Sequence, residues 1–325
     1  NGKREYCEET DPRAQGGYYT QDDIRELVAY AQKHYVTIIP EIEMPSHSEE
    51  VLTAYPELSC THVPYKQSDF CIGNEKTFEF LENVLTEVME LFPSEYIHIG
   101  GDEAGKASWP NCKLCQARMK KEGLKDVNEL QSYLIHRIEV FLNGHNRKLL
   151  GWDEILEGGL SKTATVMWWR TWAKDAPMKT TSQGNHIIFT PNSQFYLDYE
   201  QDIKSLPNIY NYDPSAEFEQ QPELINQVLG VQGNIWCEWI PSRERMQYMA
   251  APRMLAIAEL GWSDPKQKDW DGFKNRLSDQ FERLNVMNVN YRIPDLEGFY
   301  KTNVFIGEGE VKISCMDPSA EIHYT

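Results

Sequence analysis

The feature that most constrains this chain is a rhythm. Short apolar, β-branched runs alternate with amphipathic stretches of helical length, and polar or aromatic residues gather where each apolar run ends. The runs are VTIIPEIEMP (36–45), EYIHIGGDE (95–103), KLLGWDEI (148–155), TATVMWW (163–169), HIIFTPN (186–192) and VLGVQGNIW (228–236). Strand–helix alternation of this kind implies parallel strands joined by crossover helices. The polar ends are Glu41, Glu43 and His47; Asp102 and Glu103; Trp152 and Asp153; Trp168 and Trp169; Trp236 and Glu238. In a (β/α)8 TIM-type barrel all such ends share one face, and that face carries the chemistry. A doubly wound sheet would focus its ligand at a single switch point instead. The expected fold class is therefore α/β, a (β/α)8 barrel of which six strands of eight are recognisable.

Helical spacing predicts helices over 21–34, with Thr20 as N-cap, over 74–93, stopped by Pro93, and over 127–146. It also predicts one core-facing helix over 244–262 and an amphipathic one over 269–287. After Pro294 the helical pattern gives way to VFIGEGEVKISCMDPSAEIHYT, which reads as hairpin strands of a separate β module. The expected division is a barrel over 1–298 and the start of a C-terminal β module over 299–325.

The formal net charge is −18. Such a surface repels phosphate backbones, which argues against nucleic acid and against electrostatic docking on anionic membranes. No apolar run is long enough to span a bilayer. The first residues contain no signal peptide and read as the inside of a loop, so any targeting segment is expected to lie outside this chain. The seven cysteines are Cys7, Cys60, Cys71, Cys112, Cys115, Cys237 and Cys315. Cys112 and Cys115 form a C-x-x-C, but a zinc site wants two more ligands at matching spacing. The spacing offers none, so no metal is expected, and structural thiols or a local disulfide are favoured. Cys60 and Cys71 bracket a short polar loop and can pair in an oxidising compartment.

Strand ends rich in Trp and carboxylates suit a sugar, whose apolar faces stack on aromatic rings while its hydroxyls bond acids and tyrosines. Glycosidic cleavage by two protein carboxylates needs them roughly 5 Å apart across the bond, normally from different strands. The adjacent pair Asp102-Glu103 fits that route poorly. It fits a reaction in which the nucleophile belongs to the substrate. Bland readings accompany each residue. A bare GGDE would be a solvated helix-start pair, Trp109 and Trp172 are as readily packing residues, and Trp168 packs away from the site if Trp169 faces it.

HIGGDE (98–103) resembles the signature of glycoside hydrolase family 20, the β-N-acetylhexosaminidases. PEIEMPSH (40–47) resembles the family's PEIDMPGH, and GWDEI, VMWWR, YLDY (196–199) and NIWCE (234–238) are similar to its later strand ends, in the same order. The resemblance covers about residues 17 to 290. It implies a retaining, exo-acting hydrolase of terminal β-linked GlcNAc or GalNAc that needs no cofactor and works through an oxazolinium intermediate. Alternatives are a lacto-N-biosidase, a hydrolase selective for sulfated GlcNAc, or a catalytically weak carbohydrate-binding fragment. By the same resemblance Glu103 is the general acid, Asp102 orients the acetamido N–H, and Tyr196 donates to the acetamido oxygen. Trp152, Trp169 and Trp236 wall the sugar, Asp198 and Glu238 bind its hydroxyls, and His47 stands beside the acid. The partner implied is a glycan or glycoconjugate met outside the cytoplasm, and the family allows a dimer. Ser46 and Glu43 stand where the family has Gly and Asp. The family's first two barrel strands have no counterpart here, and a chain without them is expected to bind sugar poorly.

Overall fold

The computed structural model describes residues 17–202, 204–298, 304 and 306–323. Cys7 and residues 299–303 lie outside them. The chain divides into two compact units, residues 1–149 and 150–325.

In the first unit the helix Gln21–Lys33 starts where predicted. Thr20 accepts from the Asp23 amide and Asp23 answers the Thr20 amide, a reciprocal capping box. The helix Glu75–Leu91 is capped by the Asn74 side chain and buries Phe78, Leu81, Leu85 and Met89, the i, i+3, i+7 stripe that its sequence spacing dictates. Strand β1, Tyr96–His98, follows. The helix Lys113–Glu122 closes on Gly123, whose φ of 71° only glycine adopts without strain. Asp126 caps the helix Val127–Gly144 by accepting from the Asn128 and Glu129 amides.

The expected strand in 36–45 is extended backbone beside β1. His98 donates to the Pro40 carbonyl (2.9 Å), Ile42 to that of His98 (2.9 Å) and Met44 to that of Ile99 (3.0 Å). A parallel bridge joins Glu41 and His98, but no full strand is formed. Pro40 and Pro45 have no N–H, so the ladder is interrupted at both ends.

Strand β2, Lys148–Trp152, leads into the second unit. There β2 pairs in parallel with β3, Thr165–Trp168, which pairs with β4, Ile187–Phe189, which pairs with β5, Val228–Val231. These are four of the predicted strands in the predicted direction, so five are formed and the sixth is the bridged segment. The helix Ala176–Ser182 makes the crossover from β3 to β4. The second core gathers Phe195, Leu197, Ile209, Tyr210, Ala256, Leu260, Phe273, Leu277 and Phe281. The single helix expected over 244–262 is two, Arg243–Ala250 and Arg253–Trp262. Pro252 interrupts it, because proline donates no hydrogen bond and its ring crowds the preceding turn. Beyond residue 290, Glu297 and Ser314 exchange backbone hydrogen bonds of 2.8 and 3.1 Å as an antiparallel bridge. No helix among the described residues is long and apolar enough to cross a membrane.

Candidate active site

The residues expected from sequence gather in two groups, one in each unit. The first forms where β1 ends. Gly100 and Gly101 have φ of 67° and 95°, and Glu103 itself has φ of 49°. The chain has therefore left the strand, and the rule that neighbours face apart no longer binds Asp102 and Glu103. Both carboxylates turn to one imidazole. Nε2 of His47 lies 3.3 Å from Asp102 Oδ2 and 3.3 Å from Glu103 Oε2. His47 too has a left-handed backbone, φ 48°. Its hydrogen bond to Asp102, foremost, raises its pKa above the ordinary histidine value, against the opposing effect of burial.

The turn is held from several sides. Gln131, buried on the helix Val127–Gly144, donates to the Gly101 carbonyl at 2.8 Å. Asp69 accepts the amides of Gly105 and Lys106, one on each oxygen, at 3.1 Å. Glu43 accepts the Gly101 amide at 3.1 Å. A Cβ added at Gly100 would fall 1.9 Å from Glu43 Oε1, so glycine is required there by space as well as by φ. Burial first, then the charges of Asp102 and Glu41, push the Glu43 pKa well above the carboxylate range. Asp102 Oδ1 is buried and accepts no N–H or hydroxyl among the described residues, while the Glu43 carboxyl also hydrogen-bonds the Asp102 side chain.

The second group is aromatic. Trp152 and Trp236 have ring centroids 5.8 Å apart, Tyr196 and Trp236 6.1 Å apart, and Trp169 and Tyr196 6.1 Å apart and nearly parallel. The four rings are thus contiguous. Trp236 follows β5 and Trp169 follows β3, as predicted from the strand ends. Trp168, its neighbour, is buried edge-on against Phe189 and donates to the Ala173 carbonyl at 3.1 Å. Trp169 instead donates to Glu154 Oε2 at 3.0 Å. Burial and the adjacent Asp153 push Glu154 up to about 7, with Arg170 working the other way. Asp153 is fully buried and accepts from Arg170 Nε at 2.7 Å. Asp198 is buried near Glu238, and burial foremost raises its pKa. Its Oδ1 likewise accepts no hydrogen bond among the described residues. Trp172 is exposed and packs its edge on Trp169, whereas Trp109 is fully buried and donates to the Phe70 carbonyl.

The catalytic-domain profile of Glycosyl hydrolase family 20 matches residues 2–265. This chain belongs to glycosyl hydrolase family 20. A β-hexosaminidase of Porphyromonas gingivalis is 41% identical over 306 residues, covering 88% of this chain and 39% of that protein. One from Vibrio furnissii is 35% identical, covering 76% of this chain and 44% of its own length. The chain thus spans less than half of either relative. Among solved structures, the family 20 exo β-N-acetylglucosaminidase of Vibrio harveyi in complex with N-acetylglucosamine superposes with a TM-score of 0.76 at 32% identity, over 85% of this chain and 46% of that one. A β-N-acetylhexosaminidase of Bacteroides fragilis gives 0.76 at 28% identity, over 86% and 60%. The parallel strands and crossover helices are accordingly those of the family 20 (β/α)8 barrel.

In the family 20 chain the residues expected from sequence assemble within their units: His47 with Asp102 and Glu103 in one, and Trp152, Trp169, Tyr196 and Trp236, with Asp198 and Glu238, in the other. Sequence reasoning missed Asp69, which carries no motif. It noted Glu43 as a polar strand end and as a longer acid in place of Asp, without a role, and assigned none to Glu154. The one available signal was that both glutamates sit in strand-end motifs.

Proposed function

We propose that this family 20 chain belongs to a retaining, exo-acting β-N-acetylhexosaminidase that removes terminal β-linked GlcNAc or GalNAc with help from the substrate's own acetamido group. The observation that carries this reading is the pairing of Asp102 and Glu103 on His47, with Asp102 Oδ1 buried. In the first step Glu103 gives its proton to the glycosidic oxygen. The acetamido oxygen bonds to C1 as the C1–O bond to the leaving group breaks, with that electron pair leaving on the oxygen. Asp102 accepts the acetamido N–H and offsets the positive charge that develops on the oxazolinium ring. In the second step water attacks C1 from the vacated face and passes a proton to the Glu103 carboxylate. The C1–oxazoline oxygen bond breaks, and the configuration at C1 is retained.

Tyr196 would donate to the acetamido oxygen and align it for attack. The rings of Trp152, Trp169 and Trp236 offer the flat apolar surface a pyranose face requires, and Asp198 and Glu238 offer acceptors for its hydroxyls. The substrate would be a glycan or glycoconjugate met outside the cytoplasm. The test uses the full-length protein and an aryl β-GlcNAc. Glu103→Gln should lower kcat by orders of magnitude, and Asp102→Asn should cripple the enzyme. An unchanged rate in Asp102→Asn, or indifference to a thiazoline mimic of the intermediate, would rule out substrate assistance.

A further inference from the structure

Four cysteines of the first unit converge although 55 residues separate the first from the last. Cys60 Sγ lies 3.7 Å from Cys115 Sγ, Cys71 Sγ lies 3.8 Å from Cys115 Sγ, and Cys71 Sγ lies 3.6 Å from Cys112 Sγ. All four sulfurs fall within 4.8 Å of one another, and all four are free thiols. The sequence expectation that the C-x-x-C lacks two further ligands is thereby corrected. Cys60 and Cys71 supply them, brought in by the loop that precedes the helix Glu75–Leu91. The Cys60–Cys71 pairing that the sequence allows in an oxidising compartment is not formed in this structure.

The distances exclude a disulfide and fit a shared metal ion. Disulfide-bonded sulfurs are about 2.05 Å apart. Four thiolates around a zinc ion at about 2.3 Å sit at the corners of a tetrahedron whose edge is about 3.8 Å. The three separations above, 3.6 to 3.8 Å, match that edge, and the remaining three lie within 4.8 Å.

The surroundings are built for the same purpose. Cys71 and Cys115 are fully buried. Cys112 is the N-cap and Cys115 the third residue of the helix Lys113–Glu122, where the helix dipole favours thiolate. Gly73 lies against the first turn of that helix so closely that a Cβ there would fall 2.1 Å from the Leu114 carbonyl carbon and 2.2 Å from the Cys115 nitrogen. This contact lets the backbone carrying Cys71 reach the backbone carrying Cys115. The Cys60 amide donates to Gln67 and the Cys71 amide to the Leu58 carbonyl, so the cysteine loop is fixed independently of its sulfurs.

We propose that Cys60, Cys71, Cys112 and Cys115 form a structural tetrathiolate site for one zinc-like divalent cation. Binding converts four thiols to thiolates, releases four protons and forms four metal–sulfur bonds, with no change of oxidation state. The site locks the segment Ser68–Cys71. That segment also braces both loops of the acid cluster. The Phe70 amide donates to the Pro45 carbonyl (2.8 Å), the Ser48 amide to that of Ser68 (3.1 Å), and Asp69 takes the Gly105 and Lys106 amides.

The test is metal content and spectroscopy on the full-length protein, purified without chelator. One zinc per chain is expected, with four thiols shielded from a disulfide reagent until a chelator is added. After exchange with Co(II), an intense thiolate-to-metal charge-transfer band and the visible bands of a tetrahedral ion are expected. Cys112→Ser and Cys115→Ser should each bind less than a tenth of the wild-type zinc. Cys237→Ser, at an exposed position, should keep it all. Two disulfides among these cysteines, four reactive thiols without metal, a cobalt spectrum lacking the charge-transfer band, or zinc retained in both variants would each overturn the proposal. Should the serine variants not fold, the wild-type cobalt spectrum decides, since only sulfur ligands give that band.

Discussion

Glu103 reaches Nε2 of His47 at 3.3 Å from a backbone in the left-handed region, φ 49°. That conformation costs a non-glycine residue of the order of 1 kcal/mol or more, and it places the acid beside Asp102 on a common partner. Glu103→Gly should therefore relax the backbone while abolishing proton transfer. A melting temperature at or above wild type, with activity lost, is the expected outcome.

His47 binds its proton more tightly in the folded protein, chiefly through Asp102. A histidine with a raised folded pKa stabilises the fold below its unfolded pKa, about 6.5, and that contribution fades as pH rises through the folded value. His47→Gln should lose more stability at about pH 5.5 than at about pH 9. Paired urea titrations at the two pH values would read the difference, and an equal loss at both would count against the assignment.

Glu43 has a raised pKa as well, so its contribution also falls as pH rises, but here it is the neutral form that the fold favours. Burial keeps it protonated in the fold, whereas the unfolded chain ionises near pH 4.3. Stability from this group is present below that pH and declines as pH rises toward the elevated folded value. Glu43→Gln, neutral at every pH, should match wild type near pH 4 and exceed it increasingly through neutrality. Thermal melts across that range test this directly.

Gly100→Ala should be costly for two reasons, a φ of 67° and a Cβ 1.9 Å from Glu43 Oε1. A loss of roughly 1–3 kcal/mol from strain and crowding is expected. Glu43→Ala in the same chain should return the part due to crowding and leave the part due to φ. A double-mutant cycle with no coupling would show that the two side chains do not compete for space.

Trp168 and Trp169 are adjacent but predicted to fail differently. Trp168→Ala opens a cavity against Phe189 and should cost about 3–5 kcal/mol. Trp169→Ala removes the ring stacked on Tyr196 and the donor to Glu154. It should raise KM for an aryl β-GlcNAc more than it lowers the melting temperature.

How much of this was legible in the sequence depended on whether the determining contacts were local. Thr20 with Asp23, Asn74 and Asp126 act within a turn, and their helices began where the residues said. The strand ends were legible because apolar runs stop abruptly at Asp102, Trp152 and Trp169. Pro252 was visible but overridden by the apolar spacing around it, and the proline prevailed. The left-handed turn through Gly100, Gly101 and Glu103 could be inferred only in part, because two glycines announce freedom of φ without fixing it. Least legible were Asp69 and the pair Cys60 and Cys71. Their partners lie 36 to 55 residues away in the chain, and only the tertiary fold brings them together.

Asp69 clasps the segment behind Glu103 by two main-chain N–H groups. Those amides carry no titrating proton. In the cycle proposed above Glu103 surrenders and recovers a proton, and the loop that follows it is held through main-chain N–H groups that take no part in that exchange.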